Sequence, residues 1–214
     1  MEHETLAPPS GKRDASTSER VLAATERLCA ERGLELVSIR DIAREAGVSL
    51  SVIYHHFGSK IDLLKTLIER RLGELFCLRQ PLIDRLEAQA QPSLEELLYA
   101  MIAPLSLLRK RGKDGEITGL FLARVLISTV PEIKHEIDRG AGRLTQIVDL
   151  AQRAAPHLSR VDVCWRLHFT LGIERMHQWD YDRLEIMSEG ACAQSVDEAI
   201  NRAVAFAKAG FLAP

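Results

Sequence analysis

The chain has 214 residues, 46% of them hydrophobic, which is enough for a core in one domain or in a small domain joined to a larger one and excludes disorder throughout. Its 28 basic and 30 acidic residues leave a formal net charge of -2, so total charge points to no polyanionic partner. No stretch reaches the roughly 18 uninterrupted apolar residues of a membrane span, and the four cysteines are too scattered for a CxxC metal knuckle or a disulfide framework.

Residues 1–17, "MEHETLAPPSGKRDAST", read as a flexible tail: Pro8, Pro9, Ser10 and Gly11 disfavour regular structure, and no apolar periodicity precedes Val21. Glu2 and Glu4, with no apolar run beside them, separate this segment from a signal peptide, and a cytoplasmic location is expected. Beyond it, helix signals recur and strand signals are nearly absent. A Ser or Thr followed three residues later by Asp or Glu can form a capping box. The pattern stands at Ser16/Glu19, Ser38/Asp41, Ser59/Asp62, Ser93/Glu96, Thr129/Glu132, Ser159/Asp162 and Ser195/Glu198. Gly33, Gly47 and Gly190 follow helical stretches where a left-handed cap is easiest to accommodate, and Pro131 falls near a first helical turn. The reading is an all-α chain of roughly nine helices, dividing near Gln80 and Pro81. Cys29, Cys77, Cys164 and Cys192 each sit in helical text and are expected to be buried, reduced thiols.

Within "GVSLSVIYHHFGSK" and the residues before it, a helix from Ile39 to Ala46, a turn at Gly47-Val48-Ser49 and a helix from Leu50 to Phe57 make a helix-turn-helix, whose second helix suits the DNA major groove. Ile42, Ala43, Val48, Ile53 and Phe57 are its expected packing residues. His55 and His56 point about 100° apart and are poorly placed to chelate one metal, so no metal is expected; His55 faces out and His56 helps hold the domain. Between Ser18 and Leu72 nine basic residues oppose eight acidic ones, so non-specific DNA affinity is expected to be modest unless Lys12 and Arg13 in the tail add to it.

"SIRDIAREAGVSLSVIYHHFGSKIDLL" resembles the DNA-binding domain of the TetR family of transcriptional regulators. The likeness covers about a quarter of the chain and departs mildly at Ile53, where leucine is usual. It implies an N-terminal three-helix helix-turn-helix domain, residues 18–72, and a C-terminal helical ligand-binding and dimerisation domain, residues 73–214. By the same resemblance Ser38 and Lys60 lie at helix starts beside the DNA backbone, where free amides and the helix dipole suit phosphate, with Tyr54 and His55 flanking the same phosphates. Base reading falls to Leu50, Ser51, Val52 and Tyr54 on the recognition helix, with Arg40 reaching in from the helix before it.

In the larger half, Asp162 to Trp179 and the stretch from Val196 are apolar around much of their circumference and are the candidate dimer helices; closing their own core is the competing reading. The family encloses a small-molecule pocket with the remaining helices, here about 94–108, 116–128 and 132–154. Candidate lining residues are Met101, Phe121, Leu122, Val125, Phe169 and Met176, with Arg124, His168 or His177 as a polar anchor. "AAPHLSRVDVCWRLHFTLG" resembles, more loosely, the branch of the family that responds to fatty acids or their CoA thioesters. The expectation is a homodimeric repressor on an inverted-repeat operator of double-stranded DNA, released by a largely apolar small molecule, with no cofactor. A DNA-binding dimer without an inducer, or an activator, is the alternative. An enzyme built on His168, His177 and Glu174 or Asp180 lacks any accompanying nucleophile, phosphate-loop or metal motif.

Overall fold

The computed structural model describes residues 10–139, 142–179, 181–192 and 195–214, with side chains except at 10–15, 142–143, 177–179 and 181–182. Among the described residues are eleven helices and no strand. They are α1 (Ser10–Arg32), α2 (Ile39–Ala46), α3 (Leu50–Phe57), α4 (Lys60–Glu87), α5 (Leu94–Leu108), α6 (Lys113–Leu126), α7 (Pro131–Arg139), α8 (Gly142–Ala154), α9 (Arg160–Trp179), α10 (Tyr181–Met187) and α11 (Val196–Leu212), with a 3-10 turn at Arg109–Arg111.

Five of the seven capping serines and threonines start helices. Ser38, Ser59, Ser93, Ser159 and Ser195 each accept the backbone amide three residues on, at 3.2, 3.1, 3.4, 3.1 and 3.4 Å. At the other two, the local pattern is overridden. Ser16 and Glu19 lie inside α1, because helix extends back to Ser10 and into the segment read as tail. The side chains of Lys12 and Arg13 fall outside the described set. Helix α7 opens directly with Pro131 after Val130, whose amide donates to the Ser128 hydroxyl at 3.3 Å, so the start lies two residues past Thr129. Gly33, Gly47 and Gly190 all take positive φ, as their positions after helices suggest.

The helix count exceeds nine because 132–154 is two helices, α7 and α8, and because α10, seven residues long, is too short for an apolar period to register. Nor does the chain break at Pro81. Helix α4 runs through it, although an interior proline removes one ladder bond and costs about 3 kcal/mol or more. Burial of Leu72, Leu75, Ile83 and Leu86 on both sides keeps the halves in one helix.

Two cores meet along α4. One joins α1 to α3 and the first half of α4 with Leu105, Leu108, Phe121, Leu122, Val125 and Ile133. The other joins Ile83 and Leu86 to α5, α8, α9 and α11. The first core is therefore completed by α5, α6 and α7. Polar ties reinforce the same joint. Glu26 of α1, almost fully buried, accepts from Arg71 Nε and Nη2 at 2.7 and 2.5 Å and from the Thr118 hydroxyl at 2.8 Å. Arg71 also reaches Glu74 at 2.5 Å. Arg124 of α6 donates to the carbonyls of Ala30 and Glu31 at the end of α1, at 2.8 and 3.2 Å. At the start of α6 a side chain on Gly115 would lie 1.9 Å from the Leu108 carbonyl oxygen, so only glycine allows this approach.

Helix α5 contains Pro104. A proline cannot donate to the carbonyl four residues back, here Ala100. Arg79 of α4 supplies the missing donor: its Nε bonds Ala100 O at 3.2 Å and its Nη2 bonds Met101 O at 3.0 Å.

Candidate functional site

Helix α2 starts at a full capping box. The Asp41 amide donates to the Ser38 hydroxyl, and the Ser38 amide donates back to the Asp41 carboxylate at 3.1 Å. Hydrogen bonds from the Ser38 side chain and backbone, with Arg44 beside them, hold the Asp41 carboxyl below its usual range. Gly47 ends the helix at φ 64°, donating to Arg44 O at 3.3 Å, while Val48 donates to Ala43 O at 3.0 Å. That left-handed residue sets the turn into α3. Ile42, Ala43 and Ile53 are buried between the helices, with Val48 and Phe57 partly buried against them.

Helix α3 presents the opposite face outward. Ser51 and His55 are exposed, Tyr54 is 50% exposed, and Val52 is half-buried. Leu50 is half-buried against the core. The Ser49 hydroxyl pairs with that of Ser51 at 2.8 Å and does not cap α3, so the first amides of this helix keep their charge bias at the surface. Arg40 is exposed on α2, and His56 is half-buried with its ring 6.1 Å from Phe57. Of the expected phosphate contacts, Ser38, Tyr54 and Lys60 line one open groove of about 450 Å³, together with Ser59. The starts of α2 and α4 thus converge on the tyrosine of α3. His55, Arg40, Leu50, Ser51 and Val52 are not among the groove's lining. Lys60 has an added task that its motif position does not disclose: its ammonium donates to Leu34 O at 2.8 Å, fastening α4 to the loop after α1.

The expected pocket residues are dispersed. Met101, Phe121, Leu122 and Val125 are fully buried in the two cores, and Arg124 is engaged at the end of α1. Phe169 and Met176 are 61% and 58% exposed, and His168 is exposed beside them; His177 falls among the undescribed side chains. None of the eight that are described lines the partly open cavity between α4, α6, α7, α8 and α9. That cavity holds about 180 Å³, and its apolar wall includes Leu72, Leu75, Phe76, Ile83, Ile147 and Leu171. Its polar residues include Arg79, Glu174 and Arg175. Arg79 Nη2 pairs with Glu174 at 2.9 Å, and Glu174 is 3% exposed; burial raises its carboxyl pKa against the pull of Arg79 and Arg175. The sequence signal for these residues is a charged side chain at a core register: Arg79 shares a helical face with Leu72, Leu75 and Ile83, and Glu174 with Leu167 and Leu171.

Helices α9 and α11 each have two faces. Val163 and Leu167, and Ile200, Val204 and Phe211, are buried in the second core. Outward lie Val161, Trp165, Phe169 and Met176 on α9 and Phe206 on α11, all more than half exposed, with the Trp165 and Phe169 rings stacked at 5.8 Å. A side chain added at Gly172 or Gly210 would meet nothing within 4 Å among the described residues beyond its own helix backbone and chain neighbours. Arg166 clasps the two helices by donating to Phe211 O and, at 2.8 Å, to Ala213 O. Cys77 and Cys164 are exposed and Cys192 is partly so; of the four thiols expected in the interior only Cys29 is buried. Among the described residues no group of three His, Cys, Asp or Glu side chains is placed to hold a metal, and no helix is long and apolar enough to cross a membrane.

A helix-turn-helix with a groove at two helix starts, continuous with an all-helical second half, is the architecture of a DNA-binding transcriptional regulator. Residues 21–67 match the pattern of the "Bacterial regulatory proteins, tetR family", and residues 99–210, more than half of the chain, match the "Tetracyclin repressor-like, C-terminal domain". The chain belongs to the TetR family, which comprises transcriptional regulators and not enzymes. It is 30% identical over 106 residues to the HTH-type transcriptional repressor KstR2 of Mycolicibacterium smegmatis, a match covering 50% of each protein. The chain thus spans about half the length of that curated relative. The structure of the ketosteroid transcriptional regulator KstR2 of Mycobacterium tuberculosis matches with a TM-score of 0.61 at 20% identity, over 95% of this chain and 97% of that one. The transcriptional regulator FadR of Bacillus subtilis, solved with stearoyl-CoA, matches at 0.59 and 16% identity, over 90% of this chain and 98% of that one. At such identities these two structures speak for the fold alone.

Proposed function

We propose that the protein is a homodimeric transcriptional repressor that binds an inverted-repeat operator in the bacterial cytoplasm and is released by a largely apolar ligand with an anionic end. The observation that carries the DNA reading is the groove in which Ser38, Tyr54, Ser59 and Lys60 gather at the starts of α2 and α4. Amides and dipoles at helix starts favour phosphate, and a phosphate seated there sets α3 against the major groove with Ser51 and Tyr54 foremost. His55 flanks the backbone from the same helix, and Arg40, Leu50 and Val52 reach the base edges from its margins.

The outward apolar face of α9 and α11 supports dimerisation through these helices, since pairing it with its copy about a twofold axis would bury it. The ligand reading rests on the cavity beside α4, the helix that begins at the phosphate groove. A fatty acid belongs to the apolar-with-anion class, as does the stearoyl-CoA bound by the B. subtilis regulator. Effector binding would shift the population toward dimers whose α3 helices are misplaced for successive grooves.

Selection from a random DNA library with the purified full chain tests this. Enriched sites should be inverted repeats with half-site centres about 34–36 Å apart or slightly more. Enrichment of single, unrepeated sites by a monomer would overturn it.

A further inference from the structure

We infer that the cavity is a site for a small apolar monocarboxylic acid whose carboxylate is held by Arg175. The inference rests on the effector reading of the cavity given above and specifies what that effector is. Size is the first argument. The cavity holds about 180 Å³. An apolar cavity of about 150 Å³ takes one benzene ring, and sites for drug-sized molecules run from about 300 to 1,000 Å³. A single ring or a chain of similar bulk with a carboxylate fills the space; a steroid or a CoA thioester exceeds it.

Charge is the second argument. Two guanidinium groups, of Arg79 and Arg175, line the cavity with one buried carboxylate, Glu174; the other acid of the lining, Asp138, is exposed on α7. Arg79 is committed to Glu174 and to the carbonyls of Ala100 and Met101. Arg175 keeps a buried Nε without an acceptor among the described residues. A buried donor without an acceptor is costly, and a carboxylate placed on Arg175 supplies the acceptor. The amides of Gln80 and Gln146 do not compete for that part, because they donate away from the cavity to Asp84 at 2.7 Å and Glu87 at 2.6 Å. A planar carboxylate suits the guanidinium fork, whereas an alcohol supplies a neutral acceptor and a weaker bond.

Isothermal titration calorimetry on the full chain tests the assignment, with octanoate, 4-phenylbutyrate, 1-octanol and palmitoyl-CoA as probes. Both acids should bind, with octanol about tenfold weaker or worse. Arg175→Gln should weaken the acids about tenfold while changing octanol little, and Leu171→Trp, which fills the cavity, should abolish binding of all three. Octanol binding as tightly as octanoate, equal losses for both in Arg175→Gln, or no binding by either acid would overturn the carboxylate assignment. Palmitoyl-CoA binding more tightly than octanoate would overturn the size argument. Should the acids bind as described while operator affinity stays unchanged, the site stands and the effector reading falls.

Discussion

Replacing Arg71 by Met leaves the Glu26 carboxylate, 4% exposed, with the Thr118 hydroxyl at 2.8 Å as its one remaining hydrogen-bond donor among the described side chains, in place of a two-pronged guanidinium. Removing one member of a buried ion pair costs about 3–5 kcal/mol. The Arg71 side chain is 19% exposed, so water screens the pair slightly and the lower end, about 3 kcal/mol, is the better figure. For a chain of this length each kcal/mol moves Tm by about 2–4 °C, which gives a drop of about 6–12 °C. The double variant Glu26→Leu/Arg71→Met removes both charges and packs the gap, and should return to within about 1 kcal/mol of the parent. Thr118 can then turn its hydroxyl to the carbonyl one turn back. Thermal unfolding by circular dichroism at one fixed protein concentration reads both variants, the fixed concentration being needed because subunit association adds to apparent stability. A double variant as unstable as Arg71→Met alone would show that shape, and not the uncompensated charge, holds α1 to α6.

Trp165→Glu should convert the dimer to monomers in sedimentation velocity at micromolar concentration, because it sets a charge into the apolar stripe of α9; an unchanged dimer would place the interface elsewhere. Lys60→Ala should weaken binding to all DNA about equally and flatten its salt dependence, whereas Arg40→Ala should change the preferred sequence; altered preference with an intact slope in Lys60→Ala would reverse the roles. In thiol labelling at pH 8, Cys77 should react at once and Cys164 slowly under the partner subunit, while Cys29, whose thiol burial pushes up to about 12, should react only on unfolding; fast labelling of Cys29 would contradict its placement. The native Asp41 carboxyl lies below its unfolded value near 3.9, so its share of stability is complete above that pH and lost as pH falls toward the lowered native value. Urea unfolding should therefore show a constant gap between parent and Ser38→Ala from about pH 5 to 8 that narrows below about pH 4, and a gap persisting at pH 3 would assign the cap's effect to the hydroxyl alone.

What was legible in the sequence is what neighbours along the chain decide among themselves. Ser38 and Asp41 meet because they are three residues apart at a helix start, and Gly47 turns the chain because its own φ permits it. The groove at the starts of α2 and α4 was half legible, since Ser38 and Lys60 sit at helix starts whatever lies around them, but the bond from Lys60 to Leu34 spans 26 residues and leaves no local mark. The cavity was not legible. Arg79 and Glu174 are 95 residues apart, and an apolar helix such as α9 does not announce which apolar face meets its own core and which is turned outward. That is why Phe169 and Met176, expected in a pocket, stand on the surface. Phe121, Leu122 and Val125, expected around a ligand, instead complete the core under α1, so a fragment ending at Pro81 would lose part of its own interior.

The service Arg79 renders to α5 also fixes an order of descent. While Pro104 is present, losing Arg79 strands the Ala100 carbonyl inside the protein and leaves Glu174 without its hydrogen-bonded ion-pair partner. If Pro104 is first exchanged for a residue that carries an amide, the helix can mend its own ladder, and Arg79 becomes free to change together with Glu174. Among diverging copies of this gene the proline should therefore disappear before the arginine, and lineages that kept the proline but dropped the arginine should be rare.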